Sequence, residues 1–91
     1  MIEVVFDSEF KKVFSKRIAF DSKLLLKFQE RLKLFCVNTR NPTLRDHQLI
    51  GVMRHYRSFS ITGDIRVIYR VIDDNTVAFV DIGTHNQVYG K

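Results

Sequence analysis

At Pro42 the apolar residues of this chain change their spacing, and that change limits the folds open to it. Before Pro42, Leu24, Leu25, Phe28, Leu32 and Phe35 recur at three and four residues, the spacing of one helix face. After it, Ile65, Val67, Tyr69 and Val71 recur at every second residue, the spacing of one strand face. Proline cannot continue a helix, because its ring fixes φ and removes the backbone donor. Helices therefore come first and strands follow, which places the chain in the α+β class.

The elements can be bounded more closely. Met1–Phe6 is β-branched and alternating, and reads as a short strand. Asp7 or Ser8 can cap a helix to about Arg17, with Phe10, Val13 and Phe14 on one face. Asp21 can cap a second helix from Ser22 to about Val37, with Lys23, Lys27 and Glu30 on its polar side. A three-stranded meander follows over His55–Ile61, Asp64–Ile72 and Thr76–Ile82, with turns at Thr62-Gly63 and Asp73-Asp74-Asn75. Gly83 is expected to break the last strand and leave a short tail, and Gly63 and Gly83 are expected to take positive φ. The first strand has no partner near it in sequence, so it must join the sheet after the helices. The expected fold is one domain over residues 1–91, with two N-terminal helices on one face of a small, mainly antiparallel sheet. The eight phenylalanines should fill much of its core. The other face is expected to be partly open and polar, with Asp64, Arg66 and Arg70 on one strand and Tyr56, Ser58 and Ser60 on its neighbour.

Charge narrows the choice of partner. The net charge is +5, unevenly spread: +3 over residues 1–39, +4 over 40–70 and −2 over 71–91. All six bases of the middle stretch are arginines: Arg40, Arg45, Arg54, Arg57, Arg66 and Arg70. Arginine presents a planar fork that matches phosphate, whereas lysine is a hydrated point charge suited to a solvated helix face. A polyanion-binding surface is therefore expected within 40–70, against the plainer reading of ion pairs to Asp46, Asp64 and Asp81. Cys36, the one cysteine, excludes an intrachain disulfide and reads as a buried thiol among apolar neighbours. No apolar run approaches the roughly 20 residues that span a bilayer. The start of the chain does not read as a signal peptide. A cytoplasmic protein is expected, with no membrane partner.

Three histidines, His47, His55 and His85, follow the helices. Histidine moves a proton near neutral pH. No HxxxH, HxH or CxxC spacing points to a metal, and no GxSxG, GxxxxGK[ST] or GxGxxG points to a serine nucleophile or a nucleotide cofactor. RNA cleavage requires neither. A base frees the 2′-hydroxyl, a cation stabilises the phosphorane, and an acid protonates the leaving 5′-oxygen. An aromatic such as Tyr56 or Tyr89 can stack on an unpaired base.

The segments Leu44-Arg45-Asp46-His47-Gln48-Leu49-Ile50-Gly51, Tyr56-Arg57, Gly63-Asp64-Ile65-Arg66-Val67-Ile68-Tyr69, Ile82-Gly83-Thr84-His85 and Val88-Tyr89 resemble the RelE superfamily of type II toxin–antitoxin ribonucleases, and most closely its YafQ-like branch. The resemblance covers nearly the whole chain. It implies a toxin that cleaves mRNA in the ribosomal A site without a cofactor or metal, and that a cognate antitoxin blocks. It implies His47, Asp64, Arg66 and His85 as catalytic residues. His85 would be the general acid, His47 a base or phosphate ligand, Asp64 a base or an orienter of histidine, and Arg66 the phosphate's cation. Tyr89 would be the C-terminal aromatic, and Arg45, Arg54 and Arg57 would bind RNA. Some relatives carry aspartate and histidine where this chain has Ser58 and Ser60. Two other functions stay open at this point. One is a gyrase poison of the ParE type, which shares the fold. The other is an RNA- or ribosome-binding module without catalysis.

Overall fold

The computed structural model describes residues 1–90. The chain runs β1 (Glu3–Phe6), α1 (Ser8–Arg17), α2 (Ser22–Val37), β2 (His47–Gln48), β3 (Arg57–Ser60), β4 (Ile65–Asp73), β5 (Thr76–Thr84) and α3 (His85–Tyr89). Single 3₁₀ turns lie at Pro42–Leu44 and Gly51–Met53. The expected α+β fold is present, with helices and strands changing over at Pro42.

Asp21 caps α2, its carboxylate accepting from the Lys23 and Leu24 N–H groups at 3.0 and 3.2 Å. Asp7 occupies the same position before α1 but makes no side-chain cap bond. Phe10, Phe28 and Phe35 turn inward from the two helices. They meet Phe59, Val67, Tyr69, Val77, Phe79 and Ile82 of the sheet in one core. Phe79 is its hub, with its ring centroid 5.5–6.2 Å from those of Phe6, Phe10, Phe35, Phe59 and Tyr69. Phe20 is the phenylalanine that stays out, 76% exposed in the turn between the helices. Cys36 is only half-buried, and that burial pushes its thiol pKa up.

The sheet order is β1-β5-β4-β3-β2. β1 returns to pair parallel with β5, as its lack of a local partner required, and every other pairing is antiparallel. Three expectations need correction. β5 runs through Gly83 to Thr84, with Gly83 opposite Arg66. A Cβ on Gly83 would lie 2.5 Å from Gln87 Oε1 and 2.8 Å from Arg17 Nη1, so this glycine permits a close approach within the strand and does not end it. Neither Gly63 nor Gly83 has positive φ. Between β3 and β4 the Thr62 hydroxyl accepts the Asp64 and Ile65 N–H groups at 3.2 and 3.0 Å, which closes the turn without a left-handed glycine. The tail is a helical turn, opened by a capping box in which Thr84 and Gln87 exchange side-chain-to-backbone hydrogen bonds. It packs on β5 and β4, so the second sheet face is partly covered, and Ile68, Ala78 and Val88 are buried outside the main core.

Candidate active site

β2 is two residues long, yet it sets the site. His47 pairs with Ser58 and Gln48 with Arg57, which stitches the segment after Pro42 to the sheet edge. Asp46, just before it, is tied down twice. Arg57 Nε donates to its Oδ1 at 2.9 Å, and the Tyr69 hydroxyl donates to its Oδ2. Its side chain is only 6% exposed in the ion pair. Arg57 thus braces this loop through Asp46, and Asp81 is instead paired with Arg17 at 3.3 Å. The anchored loop fixes where His47 leaves the backbone.

His47 Nδ1 lies 3.0 Å from the Arg45 carbonyl oxygen. A carbonyl only accepts, so Nδ1 carries the hydrogen. In neutral His47 the lone pair is then on Nε2, the state a general base needs. Arg66, from the next strand but one, donates from Nε to Ser58 Oγ and from Nη1 to Ser60 Oγ, both at 3.0 Å. Both serines are buried, at 0% and 6% exposure. They hold two of the three guanidinium nitrogens, and among the described residues no hydrogen bond is made by Nη2. His85 is the first residue of α3, and its ring meets Tyr89 edge-on with centroids 4.7 Å apart. The Tyr89 hydroxyl is buried without a hydrogen-bond partner.

His47, Leu49, Arg66, His85 and Tyr89 line one shallow cavity of about 340 Å³. A base with a fixed tautomer, a braced cation and a second imidazole thus share one concave surface. The other candidates lie elsewhere. Asp64 is exposed in the turn before β4, outside the lining, and no ion pair joins it to Arg66 among the described residues. Arg45 is exposed and lines a neighbouring cleft. Arg54 is exposed on the tip of the β2–β3 loop, where Nη1 lies 3.4 Å from the Gly51 carbonyl. Arg57 faces a third cleft together with Asp46 and Tyr69. Sequence reasoning missed the parts played by Leu49, Ser58 and Ser60. The alternation of β3, with Phe59 in the core, already placed both serines together on the opposite face. No group of three or more His, Cys, Asp or Glu positioned for a metal occurs among the described residues.

The Asp46–Tyr69 bond makes a stability prediction. Burial and then the Asp46 carboxylate hold the Tyr69 phenol well above its ordinary pKa near 10. A folded-state pKa above the unfolded one leaves stability unchanged below pH 10 and removes it as pH rises toward the folded value. Above pH 10 the wild type should lose about 1.4 kcal/mol per pH unit more than Tyr69→Phe does. Denaturant titrations of both proteins at pH 9 and 11 check this; parallel losses would show that Tyr69 is free to ionise in the fold.

A family of type II toxins, described as "Bacterial toxin of type II toxin-antitoxin system, YafQ", matches residues 2–90. Among solved structures, YafQ from Escherichia coli superposes with a TM-score of 0.75 at 22% identity, covering 99% of this chain and all of that one. YafQ in the E. coli DinJ–YafQ complex superposes at 0.72 with 24% identity, over 99% of this chain and 100% of that one. A YoeB/ParE toxin from Agrobacterium tumefaciens gives 0.74 at 17% identity, over 92% of this chain and 99% of that one. At these identities the structures establish a common fold. No curated protein sequence matches the chain.

Proposed function

Starting from the premise that this chain belongs to the YafQ family of bacterial type II toxins, we propose that it is an mRNA-cleaving endoribonuclease acting on the translating ribosome in the cytoplasm. The observation that carries this reading is the cavity where His47, Arg66 and His85 meet, with His47 Nδ1 already committed to the Arg45 carbonyl. His47 Nε2 takes the proton of a ribose 2′-hydroxyl. The 2′-oxygen attacks the adjacent phosphorus, and Arg66 balances the charge that builds on the phosphoryl oxygens. His85 gives its proton to the departing 5′-oxygen as the P–O5′ bond breaks. The products are a 2′,3′-cyclic phosphate and a 5′-hydroxyl. Tyr89 packs its ring against His85 and holds it toward the leaving group. Asp64, in the exposed turn two residues before Arg66, would have to reach the strand from outside the lining to hold a histidine or a ribose. No step calls for a metal.

The partner that silences such a toxin is an antitoxin; the E. coli relative is seen in complex with DinJ. An acidic segment of a cognate antitoxin would cover the arginine-rich face of this chain.

The test is inducible expression of wild type and His85→Ala with mapping of mRNA 5′ ends. New 5′-hydroxyl ends inside translated reading frames, absent in the variant, are expected. Growth arrest with no new ends would sink the nuclease reading and turn attention to DNA gyrase or to ribosome blockade without cleavage.

A further inference from the structure

A second basic cleft lies beside the cavity and takes no part in the chemistry above. It has a volume of about 580 Å³ and is lined by Lys27 and Arg31 of α2, Thr43 of the 3₁₀ turn and Arg45 just after it, and Ser60 at the end of β3 with Thr62 beyond it. The helix lysines otherwise read as a solvated face, yet the packing of α2 under the turn after Pro42 brings Lys27 and Arg31 toward Arg45. Three features mark the place as built. Arg31 is held, its Nη1 donating to the Thr43 carbonyl at 3.1 Å, with its side chain only 16% exposed. Arg45 has left-handed backbone geometry (φ 51°, ψ 41°), a strained conformation for a residue other than glycine. Its guanidinium has no ion-pair partner among the described residues. Among the described residues Glu30 is the carboxylate ion-paired to this group, 3.3 Å from Lys27 and 3.7 Å from Arg31, which leaves three cations against one paired anion.

The cleft is linked to the cavity by one hydrogen bond. Ser60 forms part of its wall, and Ser60 Oγ accepts from Arg66 Nη1. A strand whose scissile phosphate sits on Arg66 therefore has a cationic cleft next to it.

We propose that this cleft is a second phosphate site, in which Lys27, Arg31 and Arg45 hold an RNA phosphodiester flanking the cleaved one. The proposal rests on the RNA-cleaving reading and adds a subsite to it. This link to Arg66 favours RNA over an acidic protein segment. Occupancy of the cleft sets the direction in which the strand crosses the cavity, and so which nucleotide presents its 2′-hydroxyl to His47.

The test uses the purified full chain and 2′-O-methyl oligoribonucleotides, which bind without being cut. Fluorescence anisotropy over a salt series gives the slope of log K against log salt. Removing one phosphate contact to a single strand should flatten that slope by about 0.7. Lys27→Gln and Arg45→Asn should each do so on an eight-nucleotide strand, and together flatten it by about 1.4. Asparagine tolerates the left-handed backbone at position 45, so the turn is kept. On a dinucleotide, too short to leave the cavity, both variants should bind like wild type. Unchanged slopes in the double variant, with wild type binding normally, overturn the proposal and leave the nuclease reading standing. Unchanged slopes with weaker capture of a co-expressed antitoxin assign the cleft to an acidic protein segment and overturn it too. Wild type that binds no RNA of either length also overturns the proposal, and the nuclease reading is then decided by the 5′-end mapping alone.

Discussion

His47→Ala should lower RNA cleavage by roughly 10²–10⁴-fold while leaving the protein folded. The size follows from the role: a positioned base lost from proton transfer costs about that much, and nothing else in the cavity can replace it. The sparing of the fold follows from placement. His47 is exposed on a two-residue edge strand, and its side chain contributes one hydrogen bond, to the Arg45 carbonyl. Exposed substitutions of this kind stay within about 0.5 kcal/mol. The β2 backbone pairing and the Asp46 anchor remain. Single-turnover cleavage on mRNA-programmed ribosomes, with thermal melts alongside, gives both readings. The pH profile separates the two histidines. A general base must be deprotonated, so residual activity of His47→Ala should lose the fall at acidic pH. A general acid must be protonated, so His85→Ala should lose the fall at alkaline pH. Exchange of the two limbs would reverse the roles. Full activity in folded His47→Ala would remove it from the chemistry altogether.

What was legible in the sequence, and what was not, divides along physical lines. Long periodic segments declared themselves. Phe28 and Phe35 mark the buried side of α2, and the alternation of Ile65, Val67 and Tyr69 marks β4. Beyond Tyr69 the strand outruns the core, and Val71 ends 57% exposed, lining a cleft with Tyr69 and Val77. β2 and α3 were missed as elements because two and five residues hold too little pattern to show a period. The Thr84-x-x-Gln87 capping box was nevertheless in plain view. Gly83 was read as a breaker because conformational freedom is the commoner use of glycine, whereas here the crowding of Gln87 and Arg17 decides it. Charge alone offered the arginines Asp46, Asp64 and Asp81 without choosing among them; the β2–β3 pairing brings Asp46 alongside Arg57, and that is its partner. The candidate site had the same limit. Residue types pointed to His47, Arg66, His85 and Tyr89, but only the fold, which brings side chains of β2, β4 and α3 to one cavity, gathers them. Asp64 is near Arg66 in sequence and still falls outside the lining, because it belongs to the turn and not to the strand.

Arg66→Ala should cost cleavage about 10²–10³-fold, the loss typical of removing one preorganised charge-stabilising donor. It should also cost stability. Ser58 and Ser60 are buried, and both give their oxygens to Arg66. Stripping a buried polar group of its partner costs about 1–3 kcal/mol. Two intermediate variants separate charge from geometry. Arg66→Lys keeps the charge but has no fork, so one ammonium would have to serve two serines and a phosphate; it should recover little of the lost rate. Ser58→Ala with Ser60→Ala keeps the guanidinium and removes its brace. Such a protein should bind RNA with wild-type salt dependence, because the positive charge is still there. It should nonetheless cleave more slowly, because an unheld side chain spends less time aligned with the phosphorane. The expected order of rates is wild type, the double serine variant, Arg66→Lys, then Arg66→Ala. If the double serine variant cleaves at the wild-type rate, bracing of Arg66 is dispensable and the serines merely fill the space under it. If Arg66→Lys matches wild type, position 66 supplies only charge, and the two hydrogen bonds that fix its fork have no part in the chemistry.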